Sequence, residues 1–300
     1  MALAALVIVL AVILIAYFSG FRYVKYRTEE HGTVRYIGNF DSDGFPGKGK
    51  VYFNGNVSAE IKRADRTSFT LADGSTLSGE LFEMDYSDGT VYVGQIDHFL
   101  KHGRGRLEYS GGDIYEGDFS YDELSGNGKY YYVSGDVYSG EFENSKKNGT
   151  GVYEWYADEN GKSDTFSGKY INDRRYGYGV YTAADGTIYE GNYVNDVKQG
   201  KGKLSFSDGD VYEGDFYSDT RTGKGTYTWA SGESYTGDFL KNAITGYGTY
   251  YWTSGSNRMS YEGYFLNGKV VHPDPDENDA EEQQEEEQEE ESTEAPETND

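Results

Sequence analysis

Residues 223–226 read GKGT. A lysine between glycines and ahead of a hydroxyl resembles the end of a phosphate-gripping loop. In such a loop, backbone N–H groups wrap the phosphate, the lysine reaches it and the hydroxyl meets magnesium. The complete loop is G-x-x-x-x-G-K-[ST]. Here the Ser/Thr slot after Lys224 is Gly225, and the slot that should hold the first glycine is Ser218. The chain repeats this Gly-x-Gly, and its middle residue changes from copy to copy: Lys48, Arg104, Asn127, Thr150, Tyr178, Lys201, Lys224 and Tyr247. Tyrosine cannot replace lysine on a phosphate, and no copy completes G-x-G-x-x-G. The pattern therefore reads as a turn or bend, and no nucleotide or other cofactor is expected.

The remaining chemistry is equally sparse. His98 and His102 are four apart, a metal-ligand spacing on a helix, but they fall in an expected hairpin loop with no carboxylate at ligand spacing. They and His31 and His272 read as solvated loop histidines. DSDG at Asp41–Gly44 has the start of a calcium loop, yet position twelve is Tyr52 where a glutamate is required. The absence of cysteine removes disulfides, thiolate ligands and a thiol nucleophile. There is no G-x-S-x-G elbow. Carboxylates such as Asp118, Glu141, Asp215 and Asp238 recur once per repeat, whereas a catalytic pair is a singular feature. These observations point away from an enzyme.

The elements emerge on aligning the chain with itself. Tyr92, Tyr115, Tyr138, Phe166, Tyr189, Tyr212, Tyr235 and Tyr261 each open a block whose third residue is glycine. The glycines of the first seven blocks are Gly94, Gly117, Gly140, Gly168, Gly191, Gly214 and Gly237, and the fifth residue is aromatic in every block except at Ile96. Gly-x-Gly comes at a fixed offset of eleven, and the block at Tyr36 keeps the same offset. In YEGDF, Tyr212, Gly214 and Phe216 share one face of a strand. Gly225, Tyr227 and Trp229 alternate with Thr226 and Thr228 in a second strand, and Ser231–Gly232 turns the chain. Each repeat is therefore a β-hairpin. The glycines leave floor space for large rings on a sheet with no second layer, and the Gly-x-Gly lets the second strand bend or take positive φ.

This pattern resembles MORN repeats, whose signature is Tyr-x-Gly-x-aromatic followed by Gly-x-Gly in a repeat of about 23 residues. The resemblance covers 92–268 closely, with 36–53 as one further unit. Residues 54–91 look like worn repeats without Gly-x-Gly. The expected fold is an all-β repeat, an elongated single-layer antiparallel meander of hairpins. The resemblance implies a protein- or membrane-associated module.

Charge adds one functional signal. Between 92 and 268, the nine-residue windows around the seven Gly-x-Gly copies hold 14 of 17 basic residues and 5 of 26 acidic ones. These windows read as loops aligned along one edge, which makes Lys101, Arg104, Arg106, Lys146, Lys147, Arg174, Arg175, Lys198, Lys201, Lys203, Arg221, Lys224 and Lys241 a candidate binding edge. It would serve an acidic partner or anionic lipid, or merely keep the ribbon soluble. The formal net charge of −25 argues against nucleic acid as a partner.

The ends are different again. The apolar run at residues 2–18 is long enough for a bilayer core and shows no polar face, so 1–20 reads as a transmembrane anchor ahead of the sheet. Arg22, Lys25 and Arg27 after it place the repeats on the cytoplasmic side, with an external domain as the alternative. Residues 21–32 read as a linker, 33–91 as the first unit with degenerate repeats, 92–272 as the regular array and 273–300 as a disordered acidic tail with 15 Asp/Glu. The functional expectation is a non-catalytic, membrane-anchored scaffold for an unidentified protein partner. The alternative is a lipid-contact module.

Overall fold

FRYVKYRT at 21–28 alternates so that Val24 and Tyr26 are half-buried while their neighbours are exposed. It forms β1 (Phe21–Thr28), which pairs antiparallel with β2 (Gly32–Phe40). The structure, a computed structural model, describes residues 20–28, 32–63, 68–71, 74–157 and 159–271. Every regular element in them is a strand, from β1 to β23. This corrects the expected fold class, which put a transmembrane helix before the sheet. Among the described residues no helix is long and apolar enough to cross a membrane. The physical reason is that strand pairing starts at once: Phe40 N donates to Gly20 O at 3.0 Å and β1 begins directly after. The anchor expectation rests on residues 1–19, which lie outside the described residues, as do His31, His272 and the acidic tail.

The chain packs as two units. The first runs to Gly186 and includes Tyr193–Asp196; the second holds Thr187–Asn192 and continues from Val197. In the first, β1 and β2 are followed by β3 (Pro46–Phe53), β4 (Asn56–Arg63), β7 (Phe82–Tyr86), β8 (Val91–Asp97), β9 (Leu100–Glu108), β10 (Ile114–Ser120), β11 (Glu123–Tyr131), β12 (Val137–Glu143), β13 (Lys146–Glu154), β14 (Thr165–Ile171) and β15 (Arg174–Thr182). Each is antiparallel to the next. The worn stretch at 54–91 thus contributes two strands to this sheet. β5 (Ser68–Thr70) and β6 (Thr76–Ser78) form a separate small hairpin. Around 54–91 the core is largely aliphatic, with Ile61, Leu81 and Met84 nearly or wholly inaccessible and Phe82 its buried aromatic. Aliphatic side chains need no glycine floor, which accounts for the missing Gly-x-Gly.

In the second unit β17 (Val197–Ser205), β18 (Val211–Tyr217), β19 (Thr220–Thr228), β20 (Ser234–Leu240), β21 (Ala243–Ser254), β22 (Asn257–Leu266) and β23 (Lys269–Val271) form the same antiparallel succession. Residues of β16 (Ile188–Val194) are divided between the units.

The repeat at Tyr212 shows how the sequence makes the hairpin. Tyr212 faces Tyr227, Gly214 faces Gly225 and Phe216 faces Arg221, with a register shift at Asp215. The connection is two residues long: Ser218 and Asp219 have φ of 46° and 66°. Positive φ at both positions is the primed turn whose twist suits paired strands. The windows read as loops are therefore mostly strand, and Gly-x-Gly lies inside β19. Gly223, at φ +84°, is the middle of a β-bulge in which Thr222, Gly223 and Lys224 face Asp215 alone, two residues more than the partner strand supplies.

The Tyr212 ring then lies across both glycines and is fully buried. A Cβ at Gly225 would stand 2.5 Å from its Cε2, and one at Gly214 would stand 2.5 Å from Gly225 Cα. The phenol donates to Asp215 O at 2.9 Å, closing the bulge over the ring. Tyr212 also meets Phe216 and Phe239 edge-on, with centroids 5.3 and 4.9 Å away. In the first unit Tyr115 does the same with Phe119 and Phe142, both at 5.1 Å. Such contacts add roughly 0.5–1.5 kcal/mol each to the burial of the rings. A single-layer sheet thus acquires a core on its own face.

Candidate functional site

Strand alternation and the bulge sort the side chains of each unit onto two faces. One face holds the buried rings and, beyond them, a half-buried second set. In the first unit that set runs Tyr130, Tyr132, Tyr153, Trp155 and Tyr181, with successive centroids 4.5, 5.7, 4.7 and 5.8 Å apart. In the second unit it runs Phe206, Tyr227, Trp229, Tyr250 and Trp252, at 6.1, 4.9, 5.7 and 5.7 Å.

Four hydroxyls of this set, those of Tyr130, Tyr153, Tyr181 and Tyr227, are each held by an aspartate from the preceding hairpin turn. Asp113 Oδ2 accepts from Tyr130 at 2.9 Å while its Oδ1 accepts from Val133 N at 2.8 Å. Asp136 does the same for Tyr153 and Tyr156 N, both at 2.8 Å. Asp164 holds Tyr181 and Ala184 N, and Asp210 holds Tyr227 and Ala230 N. Burial, reinforced by the hydrogen bond to Asp210, pushes the Tyr227 phenol up to about 12. The same bond, followed by the Ala230 N–H, holds the Asp210 carboxyl below its usual range. The rings are therefore neutral and fixed in orientation at physiological pH.

The basic residues expected along one edge are split between the two faces. Five occupy one slot, nine residues after the leading aromatic, and lie on the aromatic face: Lys101, Lys147, Arg175, Lys198 and Arg221. Lys147 Nζ is 4.9 Å from the Tyr153 centroid and within 5.9 Å of Tyr132, Tyr138 and Tyr170. Burial pulls its ammonium below the usual lysine range, with Asp173 and Asp196 opposing the shift. Arg175 lies 4.9 Å from Tyr193, Lys198 lies 4.9 Å from Tyr189 and Arg221 lies 5.3 Å from Tyr227. Lys101, only 8 % exposed, donates to Tyr86 Oη at 3.1 Å and pairs with Asp122 at 2.9 Å.

The other basic residues lie elsewhere. Arg104, Lys201 and Lys224 stand on the opposite face beside Asp118, Asp215 and Asp238 of the adjoining strand, at 3.6, 2.7 and 2.6 Å. Arg106 pairs with Glu108 and Glu116. Lys203 lies opposite Glu213 in register, and Lys146 opposite Glu143. Arg174 lies opposite Ile171, and Lys241 is the first residue of its turn. The structure thus does not gather the thirteen into one edge. The expected glycines Gly94, Gly117, Gly140, Gly168, Gly191, Gly214 and Gly237 all lie beneath the leading ring of their own repeat.

Sequence reasoning missed the slot itself. Its signal is a fixed offset: Lys101, Leu124, Lys147, Arg175, Lys198, Arg221 and Ile244 all fall nine residues after the leading aromatic. It also missed the second turn residue. Asp122, Asp173, Asp196, Asp219 and Asn242 each accept the backbone N–H of the slot residue one repeat earlier, at 2.8–2.9 Å.

The other chemical candidates have local roles. Asp41 Oδ1 accepts from Asp43 N and Phe45 N, an Asx turn, and its Oδ2 pairs with Arg63. His98 occupies a turn at φ +50° and stacks on Tyr26, whereas His102 is in β9 beside Tyr121 and not in a loop. Among the described residues no group of three or more His, Asp or Glu is placed to hold a metal ion.

Comparison with known proteins gives a family match. The model of the MORN repeat matches residues 92–114, 115–137, 138–157, 166–188, 189–211, 212–234 and 235–257. No curated protein matches the chain. Among solved structures, the SAS-4 (dCPAP) TCP domain of Drosophila melanogaster, in complex with a proline-rich motif of Ana2 (dSTIL), is 18 % identical. It covers 65 % of this chain and 87 % of its own, with a TM-score of 0.25. A streptogramin B lyase is 12 % identical, over 83 % of this chain and 85 % of its own, with a TM-score of 0.16. At those scores neither backbone tracks this one as a whole.

Proposed function

The chain belongs to the MORN-repeat family, and from that membership we propose that it is a non-catalytic scaffold whose aromatic face receives a protein partner. MORN repeats are consistent with a repeat scaffold for protein or lipid interaction. The observation that carries the protein reading is the half-buried second set of rings, Tyr130 to Tyr181 in one unit and Phe206 to Trp252 in the other. Large aromatic surfaces with a polar tip, held rigid, are what protein interfaces use as anchors. The neutral, aspartate-held hydroxyls order the rings before binding, which reduces the entropy lost on association.

The charge distribution favours this reading over anionic lipid. A lipid-contact edge needs several unpaired cations facing one way. Here Lys201 and Lys224 have carboxylate neighbours, and the slot cations lie over rings.

The test uses the full chain as bait in cell extract, with the captured proteins identified. Tyr132→Ala and Trp229→Ala should each reduce recovery of a specific partner at least about tenfold, because interface aromatics commonly contribute 2 kcal/mol or more. Lys201→Glu with Lys224→Glu should leave it unchanged. Loss on charge reversal together with retention after ring removal would transfer the function to the other face. Binding to phosphatidylserine vesicles that the same reversal abolishes would favour the lipid reading instead.

A further inference from the structure

The slot cations are not equivalent. Lys101 pairs with Asp122, and Arg175 Nε donates to Asp196 Oδ1 at 3.2 Å. Lys147 and Lys198 have Asp173 and Asp219 in the same turn position, each bonded to the slot's backbone N–H. At Arg221 that position holds Asn242. The guanidinium geometry is retained: Nε donates to Asn242 Oδ1 at 3.3 Å and Nη2 to Asn242 O at 3.1 Å. The charge is not matched. Among the described residues no carboxylate pairs with Arg221, and nearby Asp210 is occupied by Tyr227 and Ala230.

One repeat further on, both members of the device are missing. The slot residue is Ile244, and the turn position that bonds to it is Gly268, whose N–H donates to Ile244 O at 2.9 Å. Where a long cation and an Asx side chain would have filled the face, there is a depression of about 260 Å³. Arg221, Trp229, Phe239, Asn242 and Asn267 line it. It therefore has an aromatic wall, two amide side chains and one guanidinium without a counter-charge.

We infer that this depression is a seat for a carboxylate side chain of an acidic peptide segment in a partner protein, with Arg221 as the charge it meets. The chain's own repeats supply the chemical precedent, since a carboxylate completes this position at Lys101 and Arg175. A Glu or Asp from outside would supply the missing charge to Arg221 through guanidinium N–H groups that Asn242 does not use, while an adjoining apolar residue packs on Trp229 and Phe239. The net charge of −25 opposes this only at long range; within a Debye length of about 8 Å the local guanidinium dominates. The inference rests on the reading of the aromatic face as the binding face and names the partner chemistry at one place on it in the second unit.

The experiment measures anisotropy of a dye-labelled peptide, Gly-Ser-Glu-Leu-Glu-Gly-Ser, on the full chain, beside the same peptide with Gln for Glu. The Glu peptide should bind at least about tenfold more tightly than its Gln counterpart and weaken on raising salt. The decisive variant is Asn242→Asp. It restores the arrangement found at Asp122, Asp173, Asp196 and Asp219, so the turn is kept while Arg221 receives an internal counter-charge. It should weaken the Glu peptide at least about tenfold and leave thermal unfolding no lower than in the unmodified chain.

The acidic residues at 281–291 could occupy the same seat, so a full-length variant with every Glu in that span changed to Gln is titrated in parallel. Tighter peptide binding by that variant is the expected sign of an internal competitor with the same chemistry. No binding by either chain, equal binding of the Gln peptide, no effect of Asn242→Asp, or displacement by equimolar inorganic phosphate would each overturn the inference. If partner capture still depends on Trp229 but is indifferent to Asn242→Asp, this inference fails and the aromatic-face reading survives.

Discussion

Gly225→Ala is expected to lower stability by about 3 kcal/mol, whereas Gly111→Ala should be within about 0.5 kcal/mol of neutral. The difference lies in what a methyl group meets. At Gly225 it would stand 2.5 Å from Tyr212 Cε2, and the Tyr212 ring is itself fully enclosed. The ring cannot tilt, because Phe216 and Phe239 stand edge-on against it and its hydroxyl is bonded to Asp215 O. Accommodating the methyl would expel the ring, with loss of its burial, its two edge contacts and its hydrogen bond. At Gly111 nothing lies within 4 Å and φ is not in the left-handed region. Gly232→Ala separates the second possible cause: its surroundings are open but φ is +90°. It should cost about 1 kcal/mol from backbone strain alone. Urea unfolding of the three variants, monitored by circular dichroism, gives the comparison. Equal losses at Gly225 and Gly232 would mean that backbone conformation, and not the ring above it, explains the glycines.

A second large effect is expected in alkali. The phenols of Tyr36, Tyr189, Tyr212 and Tyr235 are each pushed up to about 12, burial being the leading cause at every one. An unfolded tyrosine titrates near 10. A folded-state value above the unfolded one favours the protonated fold, so this stability is complete below pH ~10 and is lost as pH rises through ~12. By linkage each enclosed ring then withdraws roughly 2 kcal/mol by pH ~12. Several together exceed much of the 5–15 kcal/mol typical of a folded domain. The sheets should therefore remain folded at pH ~9 and unfold cooperatively between ~10 and ~12, with tyrosinate absorbance rising in the same transition. Gradual ionisation near pH 10 with the sheet signal intact would show that the rings are not enclosed as described. The acid limb has the opposite sign: Asp136 and Asp210 lie below their usual range, so their contribution persists above ~4 and fades as pH falls further.

How much of this was legible in the sequence depends on how local the signal is. Period two, the leading ring and the glycine two residues on are properties of a single strand, and they led to the hairpin and the glycine floor at Gly214; Gly225, read as part of a bend, proves to lie under the same ring. The two-residue turn was not legible in the same way. Ser218–Asp219 lacks the Asn-Gly signature, and its positive φ is supported by a hydrogen bond to Lys198 in the preceding repeat. The misplacement of the basic residues has the same origin. Reading the Gly-x-Gly windows as loops put Lys224 and Arg221 on one edge, whereas period-two alternation along a single strand sends residues three apart to opposite faces. The expected helix has no counterpart among the described residues, which enter the sheet at Gly20; the apolar run at 2–18 that carried the expectation lies outside them. Charge matching at Asn242 was readable only after the slot and its turn partner had been placed in contact.

A partner seated on the aromatic face is within reach of photo-crosslinking in cells that express the full chain, with benzoylphenylalanine substituted for single aromatic residues. Tyr132 and Trp229 lie half-buried on the aromatic face, whereas Tyr178 and Tyr247 are 61 % and 46 % exposed on the other. Crosslinks to a discrete protein from positions 132 and 229, with none from 178 and 247, are the predicted result. Crosslinks from 178 and 247 alone would put the partner on the opposite face and overturn the proposed function.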